Sequence, residues 1–380
     1  MWQHVIGQER VKRTLLAARA SGRIPHAYLF FGGEGVGKDA MALELARVLR
    51  CERGGEEACG VCPSCEHITS MQHPDVRFII ALPAGKGEDA ADEPLAKLPE
   101  KEVRVIQEQL REKGKNPYHR LQIPRANVIK INSIRDLRRE SSLSTSDRKT
   151  RIFIISQAEG MEAPAANTLL KTLEEPPGDT MLILTSAHPE ALLPTILSRC
   201  QHIRFDPLTE DDLRRALIER DGVEAGQAAL VARIAHGSYT RARELLQEDV
   251  MQLRQDVVEF ILKALMNNIV DLSDSVEKVT ASKDRDDALR FLTLMQMWFR
   301  DAMVLAHGGA VINLDQEDRL KSFVTRFPGA DLVRVLADCD RAISLVDRYA
   351  YIKLVLLKLA IQLREAILPG RAAGLPAASP

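Results

Sequence analysis

Eight consecutive residues, Gly32-Gly33-Glu34-Gly35-Val36-Gly37-Lys38-Asp39, have the make-up of a loop that wraps phosphate. Gly32 is followed after four residues by Gly37 and Lys38. At that spacing backbone amides cradle a polyphosphate and the lysine ammonium reaches its outer oxygens. The next position ordinarily carries Ser or Thr, whose hydroxyl ligates the Mg²⁺ bridging those phosphates. Here it is Asp39, and a carboxylate at short range repels polyphosphate unless a metal intervenes. Gly32, Gly35, Gly37 and Lys38 therefore form a degenerate cradle with Asp39 in the magnesium position. Glycines serving only a tight turn would leave Lys38 unexplained. Whether Lys38 still holds a nucleotide is left open by the sequence.

A second metal-handling position is altered too. Working phosphate-loop enzymes end a buried strand with Asp-Glu: the Asp holds Mg²⁺ through water and the Glu polarises the attacking water. The apolar run 151–155 ends instead in Ser156-Gln157. Gln157 could orient a water only weakly, and nothing replaces the Asp charge. Glu159 is expected to fall in the following turn and miss the metal. The loss of both positions argues against hydrolysis.

Four of the six cysteines, Cys51, Cys59, Cys62 and Cys65, lie within fifteen residues. Two of the gaps are Cys-x-x-Cys knuckles, and four thiolates suit tetrahedral Zn²⁺. Four protein ligands leave no open coordination position, so the zinc implied is structural; redox disulfides are the alternative. A fourth feature is Ser198-Arg199-Cys200. By itself it reads as an ordinary surface arginine beside a buried cysteine, although an exposed arginine there could reach outward.

These residues need elements to hold them. Strand patterns at 27–31, 76–82, 128–131, 151–155 and 181–185 alternate with helical patterns at 8–20, 39–49, 133–139 and 164–173. That alternation predicts an α/β fold with a parallel sheet covered on both faces. The glycine loop runs from the first strand straight into a helix, the context a phosphate loop requires. Residues 83–125 break the pattern with a Gly/Ala/Asp/Glu/Lys-rich stretch and a charged helical run, 101–113. They read as an insertion, a solvated surface hairpin. After Pro207 strands give way to short helices at 210–220, 224–236 and 240–246. Longer helices follow at 253–266, 287–306, 332–346 and 351–367, and a Gly/Ala/Pro tail, 369–380, reads as disordered.

Composition narrows the class. The chain has 380 residues, enough for two or three domains. Lys+Arg is 52 and Asp+Glu 53, a formal net charge of -1. A near-neutral balance speaks against a polybasic nucleic-acid binder. No leader pattern and no bilayer-spanning run is visible, so a cytoplasmic protein without a membrane partner is expected.

The residues also match a family. Ile6-Gly7-Gln8, His26 to Phe30, the glycine loop, the cysteine quartet, the run Asn167 to Pro177 (Asn-Thr-Leu-Leu-Lys-Thr-Leu-Glu-Glu-Pro-Pro) and Leu197-Ser-Arg-Cys200 occur in the order of the bacterial DNA polymerase III clamp loaders. The chain resembles those AAA+ proteins over about residues 1–250 and, beyond that, only in its helical pattern. Within the family it is similar to delta-prime, the branch whose catalytic positions have decayed, rather than to the gamma/tau ATPase. Lys38-Asp39, Ser156-Gln157 and Thr240, which stands where gamma/tau has its second sensor arginine, all point that way. Neighbouring Arg241 could substitute for that sensor.

The resemblance implies a role for each part. Residues 1–207 would be the AAA+ nucleotide-fold domain, with a zinc module at 51–65 and the insertion at about 83–125. Residues 208–250 would be a helical lid, and 251–368 a collar that joins a five-subunit ring. Arg199 would be an arginine finger acting in trans on ATP held by the neighbouring gamma/tau subunit. The implied partners are gamma/tau, delta and, through them, the sliding clamp and primed DNA, within a DNA-directed DNA polymerase holoenzyme. Two alternatives stand beside this: a catalytically active gamma/tau-like ATPase that tolerates Asp39, and a zinc-dependent nucleic-acid binder.

Overall fold

The computed structural model describes residues 2, 4–89, 91–142, 150–247, 250–266, 269–280, 285–309, 316–347 and 350–368. The chain begins with α1 (Glu9–Ala20) and β1 (Ala27–Phe31), and the glycine loop joins β1 to α2 (Lys38–Arg50). Then follow α3 (Pro63–Thr69), β2 (Val76–Ile79), α4 (Glu100–Lys115), α5 (Ile131–Ser141) and β3 (Arg151–Ile155). After these come α6 (Ala163–Glu174), β4 (Thr180–Ser186), α7 (Pro194–Leu197) and β5 (Gln201–Arg204). Three short helices close this part: α8 (Glu210–Asp221), α9 (Ala225–Ile234) and α10 (Tyr239–Gln247).

The strands form one sheet in the order β2-β3-β4-β1-β5, and every pairing is parallel. β3 and β4 are buried along their whole length, as parallel strands covered on both faces must be. Leu29, Phe153, Leu182 and Leu184 of the sheet pack with Ile134 and Leu137 of α5 and Leu169 and Leu173 of α6. The α/β class expected from the alternating pattern is therefore the one found. Because all strands run the same way, the glycine loop, Ser156 and Thr185 gather at the carboxyl edge of the sheet, where open α/β folds hold ligands.

Two strand expectations need correcting. Residues 128–131 are not a strand. Ile129 makes a single parallel bridge to Met161, its N–H donates to Gly160 O at 2.7 Å, and Ile131 already begins α5. Ile129 is wholly buried, so its apolar character is explained by the core without a ladder. The strand at 201–204 was not expected, because it lies at the sheet edge and buries Ile203 alone. A mostly polar edge strand carries little periodic signal.

The insertion is also not a solvated hairpin. Ile80, Leu82, Leu98 and Ile106 form a small core of their own, with Phe78, Leu95 and Leu110 packed against it. Buried Lys130 ties the loop before α4 down, donating to Glu88 at 2.5 Å and to Pro83 O at 3.0 Å. Burial alone would raise the Glu88 carboxyl, but the Lys130 bond and the Gly85 amide hold it below its ordinary value.

The chain divides into two units, Met1–Glu244 and Leu245–Pro380. After the end of α10, the elements among the second unit's described residues are all helices: α11 (Val250–Leu265), α12 (Ile269–Thr280), α13 (Arg285–Ala306), α14 (Glu317–Arg326), α15 (Leu332–Asp347) and α16 (Ile352–Ile367). Its core is aromatic-rich. Phe260 meets Phe291 edge-on at 5.4 Å, and Trp298 meets Phe323 at 4.9 Å. Among the described residues no helix is long and apolar enough to cross a membrane. The tail expected to be disordered, 369–380, lies outside the described residues.

Candidate functional site

The glycine loop has the backbone of a phosphate cradle. Gly32 has φ +148°, and an added Cβ would overlap the carbonyl of Phe205. Gly37 has φ +101° and ends the loop as the N-cap of α2. Side chains rarely adopt such angles, so the glycines fix the loop's path. Lys38 starts α2 but does not extend into open space. Its ammonium turns back on the loop and donates to Gly32 O at 2.8 Å and Gly33 O at 2.6 Å. Burial lowers its pKa, against the opposing charges of Asp39, Glu159 and Glu34.

Asp39 sits opposite the ends of β3 and β4. Ser156 Oγ donates to Asp39 Oδ2 at 3.0 Å, and Thr185 Oγ1 donates to Asp39 Oδ1 at 2.7 Å. The two positions singled out as altered are thus in direct contact. A third group completes the cluster: Lys113 of α4 places its ammonium 2.8 Å from Asp39 Oδ2. Burial alone would raise the Asp39 carboxyl. The charge and hydrogen bond of Lys113, the Thr185 hydroxyl and Lys38 outweigh it and hold Asp39 below its ordinary value. Asp39 is therefore an ionised carboxylate satisfied by this chain's own donors.

Lys113 was not expected here, yet the sequence holds a signal for it. Val103, Ile106 and Leu110 follow helical spacing, and Lys113 comes next on the same stripe. A lysine on a buried stripe needs a partner. Gly114 beside it brings α4 against α3: an added Cβ there would overlap the carbonyl of Thr69. Lys113 also donates to His119 O at 3.0 Å, which fixes the turn that carries Tyr118. The Tyr118 hydroxyl accepts from Ile6 N at 2.9 Å and lies so near Gly37 that an added methyl would collide with it.

The short C-terminal helices of the first unit close the loop from the other side. Tyr239 N donates to Gly35 O at 3.0 Å, and Thr240 Oγ1 donates to Tyr118 O at 3.0 Å. Thr240, not Arg241, lines the remaining cavity of about 250 Å³. Gln157 lines the same cavity in a left-handed turn, its N–H donating to Thr185 Oγ1 at 3.3 Å. Glu159 lies in the turn after β3, where its Oε1 accepts from Ala187 N at 2.9 Å.

The four cysteines converge. The sulfurs of Cys51, Cys59, Cys62 and Cys65 all lie within 4.8 Å of one another, and none is in a disulfide. Zn–S bonds of about 2.3 Å in a tetrahedron set sulfurs about 3.8 Å apart, so the cluster fits zinc. Thiol acidity agrees. Burial raises Cys51, but the amides of Cys59 and Arg53 outweigh it and lower its pKa. The Val61 amide, set against burial, lowers Cys59. Burial, then the neighbouring thiols, push Cys65 up to about 12, as crowded sulfurs must behave without a shared cation. Bound zinc would be structural, fixing the start of α3 where Cys62 and Cys65 lie.

Arg199 follows α7 on the surface. Its Nη2 lies 2.8 Å from Glu174 Oε1, and its Nη1 donates to Thr195 O at 3.0 Å and Ser198 Oγ at 3.3 Å. Glu174 ends α6, within the run that carried the resemblance. Cys200 beside it packs against the main core, and burial pushes its thiol up to about 12.

Comparison with known proteins gives a consistent picture. A sequence model of the family described as "DNA polymerase III, delta subunit" matches residues 7–209. The DNA polymerase III subunit delta' of Bacillus subtilis is 34% identical over 242 residues, covering 64% of this chain and 60% of that protein. The subunit delta' of Pseudomonas aeruginosa is 32% identical over 250 residues, covering 64% and 62%. The subunit tau of Bacillus subtilis is 25% identical over 324 residues, covering 80% of this chain and 50% of tau. The matches thus span about half to six-tenths of the length of these relatives.

Proposed function

The chain belongs to the DNA polymerase III delta-subunit family and is a delta-prime-like clamp-loader protein, and from that premise we propose that it assists ATP turnover without performing it. It would stand in a ring beside gamma/tau and delta, and the complex would open the sliding clamp and set it on primed DNA in the cytoplasm. Residues 208–250 would serve as lid and 251–368 as collar. Zinc on Cys51, Cys59, Cys62 and Cys65 would be its one resident metal.

The observation that carries the absence of turnover is the contact between Asp39 and Ser156 at 3.0 Å. Where Mg²⁺ would be held, a carboxylate faces a hydroxyl that donates to it. Gly32, Gly35, Gly37 and Lys38 keep the form of the cradle while Lys38 bonds to the loop itself. Arg199, a guanidinium carried just after a short surface helix, would reach the neighbour's ATP. A planar cation of that kind neutralises charge on a transferring phosphoryl group and is worth roughly 10³–10⁵ in rate.

The test is reconstitution with gamma/tau and delta from the same cell. The chain alone should turn over no ATP. The complex carrying Arg199→Ala should lose most of its ATPase activity while still assembling. Undiminished activity of that complex would remove the finger, and hydrolysis by the chain alone, abolished by Lys38→Ala, would make it a motor of the gamma/tau kind.

A further inference from the structure

The insertion lies within the span that the family model matches, yet the proposed role gives it no task. We propose that residues 83–125 act as a built-in stand-in for magnesium nucleotide, with Lys113 as the cation and Tyr118 as the cover of the glycine loop.

Three contacts that a metal-bound nucleotide would make at the loop are made by the chain. Its anion would meet the loop lysine; instead Lys38 bonds Gly32 O and Gly33 O. Its cation would sit beside the residue after that lysine and the end of β3; there the Lys113 ammonium lies 2.8 Å from Asp39, which Ser156 also touches. Its bulk would lie over Gly37 under the lid; there Tyr118 packs, with Thr240 holding its carbonyl. What is left is a cavity of about 250 Å³, below the roughly 300–1,000 Å³ of ordinary ligand pockets.

The charges explain why Asp39 and Lys113 belong together. Without Asp39 the buried Lys113 ammonium would lose its ion-pair partner, and without Lys113 the Asp39 carboxylate would keep Lys38 alone of the two cations that hold it low. Stranding a buried charge in this way is strongly disfavoured. Paired, they keep the loop and the ends of β3 and β4 in one arrangement with no ligand needed. The Gly114 contact with Thr69 links this arrangement to the helix that begins in the cysteine module.

Thermal melting of the full-length chain tests this with magnesium and ATP as probes. The midpoint of the wild-type protein should not move when Mg²⁺ and ATP are added together. Lys113→Met should melt several degrees lower, and Lys113→Met combined with Asp39→Asn should recover most of that loss, because no charge is then stranded. A wild-type midpoint that rises with Mg²⁺ and ATP would overturn the proposal without any variant. So would a Lys113→Met protein that melts with wild type. A double variant as low as the single one would assign the loss to the lysine stem and overturn it too. The inference takes from the proposed function only the absence of turnover. No neighbouring subunit enters the measurement, so normal ATPase activity of an Arg199→Ala complex would remove the finger and leave this result standing.

Discussion

The Arg199 guanidinium, two residues past the end of α7, and the carboxylate of Glu174, the last residue of α6, form an ion pair at 2.8 Å. With Nη1 on Thr195 and Ser198 and Nη2 on Glu174, both terminal nitrogens are engaged within the chain. An arginine acting on a neighbour's phosphate must leave at least part of this set. In the proposed role of Arg199, Glu174 would therefore compete with that phosphate for the same cation.

Glu174→Gln removes that competition while keeping the shape of the side chain. In the reconstituted complex the expected outcome is a several-fold rise in ATP turnover, measured by phosphate release. Glu174→Gln with Arg199→Ala should match Arg199→Ala alone, since the carboxylate acts only through the guanidinium. A fall in turnover for Glu174→Gln would mean that Glu174 orients Arg199 instead of restraining it.

The cysteine cluster gives a prediction about metal. Four sulfurs within 4.8 Å should retain close to one zinc per chain after dialysis, read by a colorimetric chelator after unfolding. Cys65→Ser should lower both the zinc content and the melting midpoint, because the module carries the N-terminal end of α3 and folding is coupled to the metal. Equal melting with and without metal would make the cluster dispensable to the fold.

How much of this could be read in the chain depended on how local each signal was. The glycine loop, the strand at 27–31 and the run 151–155 were legible because spacing and apolar continuity lie within a few residues. The cysteine quartet was legible for the same reason. β5 was not, because an edge strand that buries Ile203 alone resembles a loop. The run 128–131 misled because Ile129 is apolar for the core while its backbone bonds to a turn. The Lys113–Asp39 pair was hardest, since the partners belong to different motifs far apart in sequence. Composition marked residues 83–125 as solvated, whereas Ile80, Leu82, Leu98 and Ile106 were enough to fold the segment back onto the sheet.

Gly114 offers a steric test of that segment. A methyl group there would overlap the Thr69 carbonyl, which belongs to backbone and cannot rotate away. Gly114→Ala would be mildly favourable to an isolated helix, so destabilisation must come from the contact. Overpacking of this sort costs about 1–3 kcal/mol. The melting midpoint of Gly114→Ala should therefore fall, and its effect should be non-additive with Lys113→Met, because both loosen the seat of α4. A stabilised Gly114→Ala protein would show that α4 does not press on α3.

The last prediction concerns acid. Folding lowers the Asp39 carboxyl from its ordinary 3.8: burial raises it, and Lys113, Thr185 and Lys38 together reverse that effect. A carboxyl lowered in the folded state favours folding only when ionised. Its contribution is thus complete above the unfolded value and is lost as pH falls through the still lower folded value. The Lys113 charge, after burial, also lowers the nearby His119 imidazole, so the comparison is made with His119→Gln in both proteins. Wild type and the Asp39→Asn, Lys113→Met double variant in that background should then differ in urea stability by a constant amount from neutral pH down to about 4, the ordinary carboxyl range. Below that range the difference should change in the direction that disfavours wild type. The Cys51 cluster and the remaining carboxylates are common to both proteins, so their titration cancels in the comparison. A change centred near neutral pH would mean that Asp39 is protonated when folded. Lys113 would then be donating to a neutral acid and could not serve as the cation of this site.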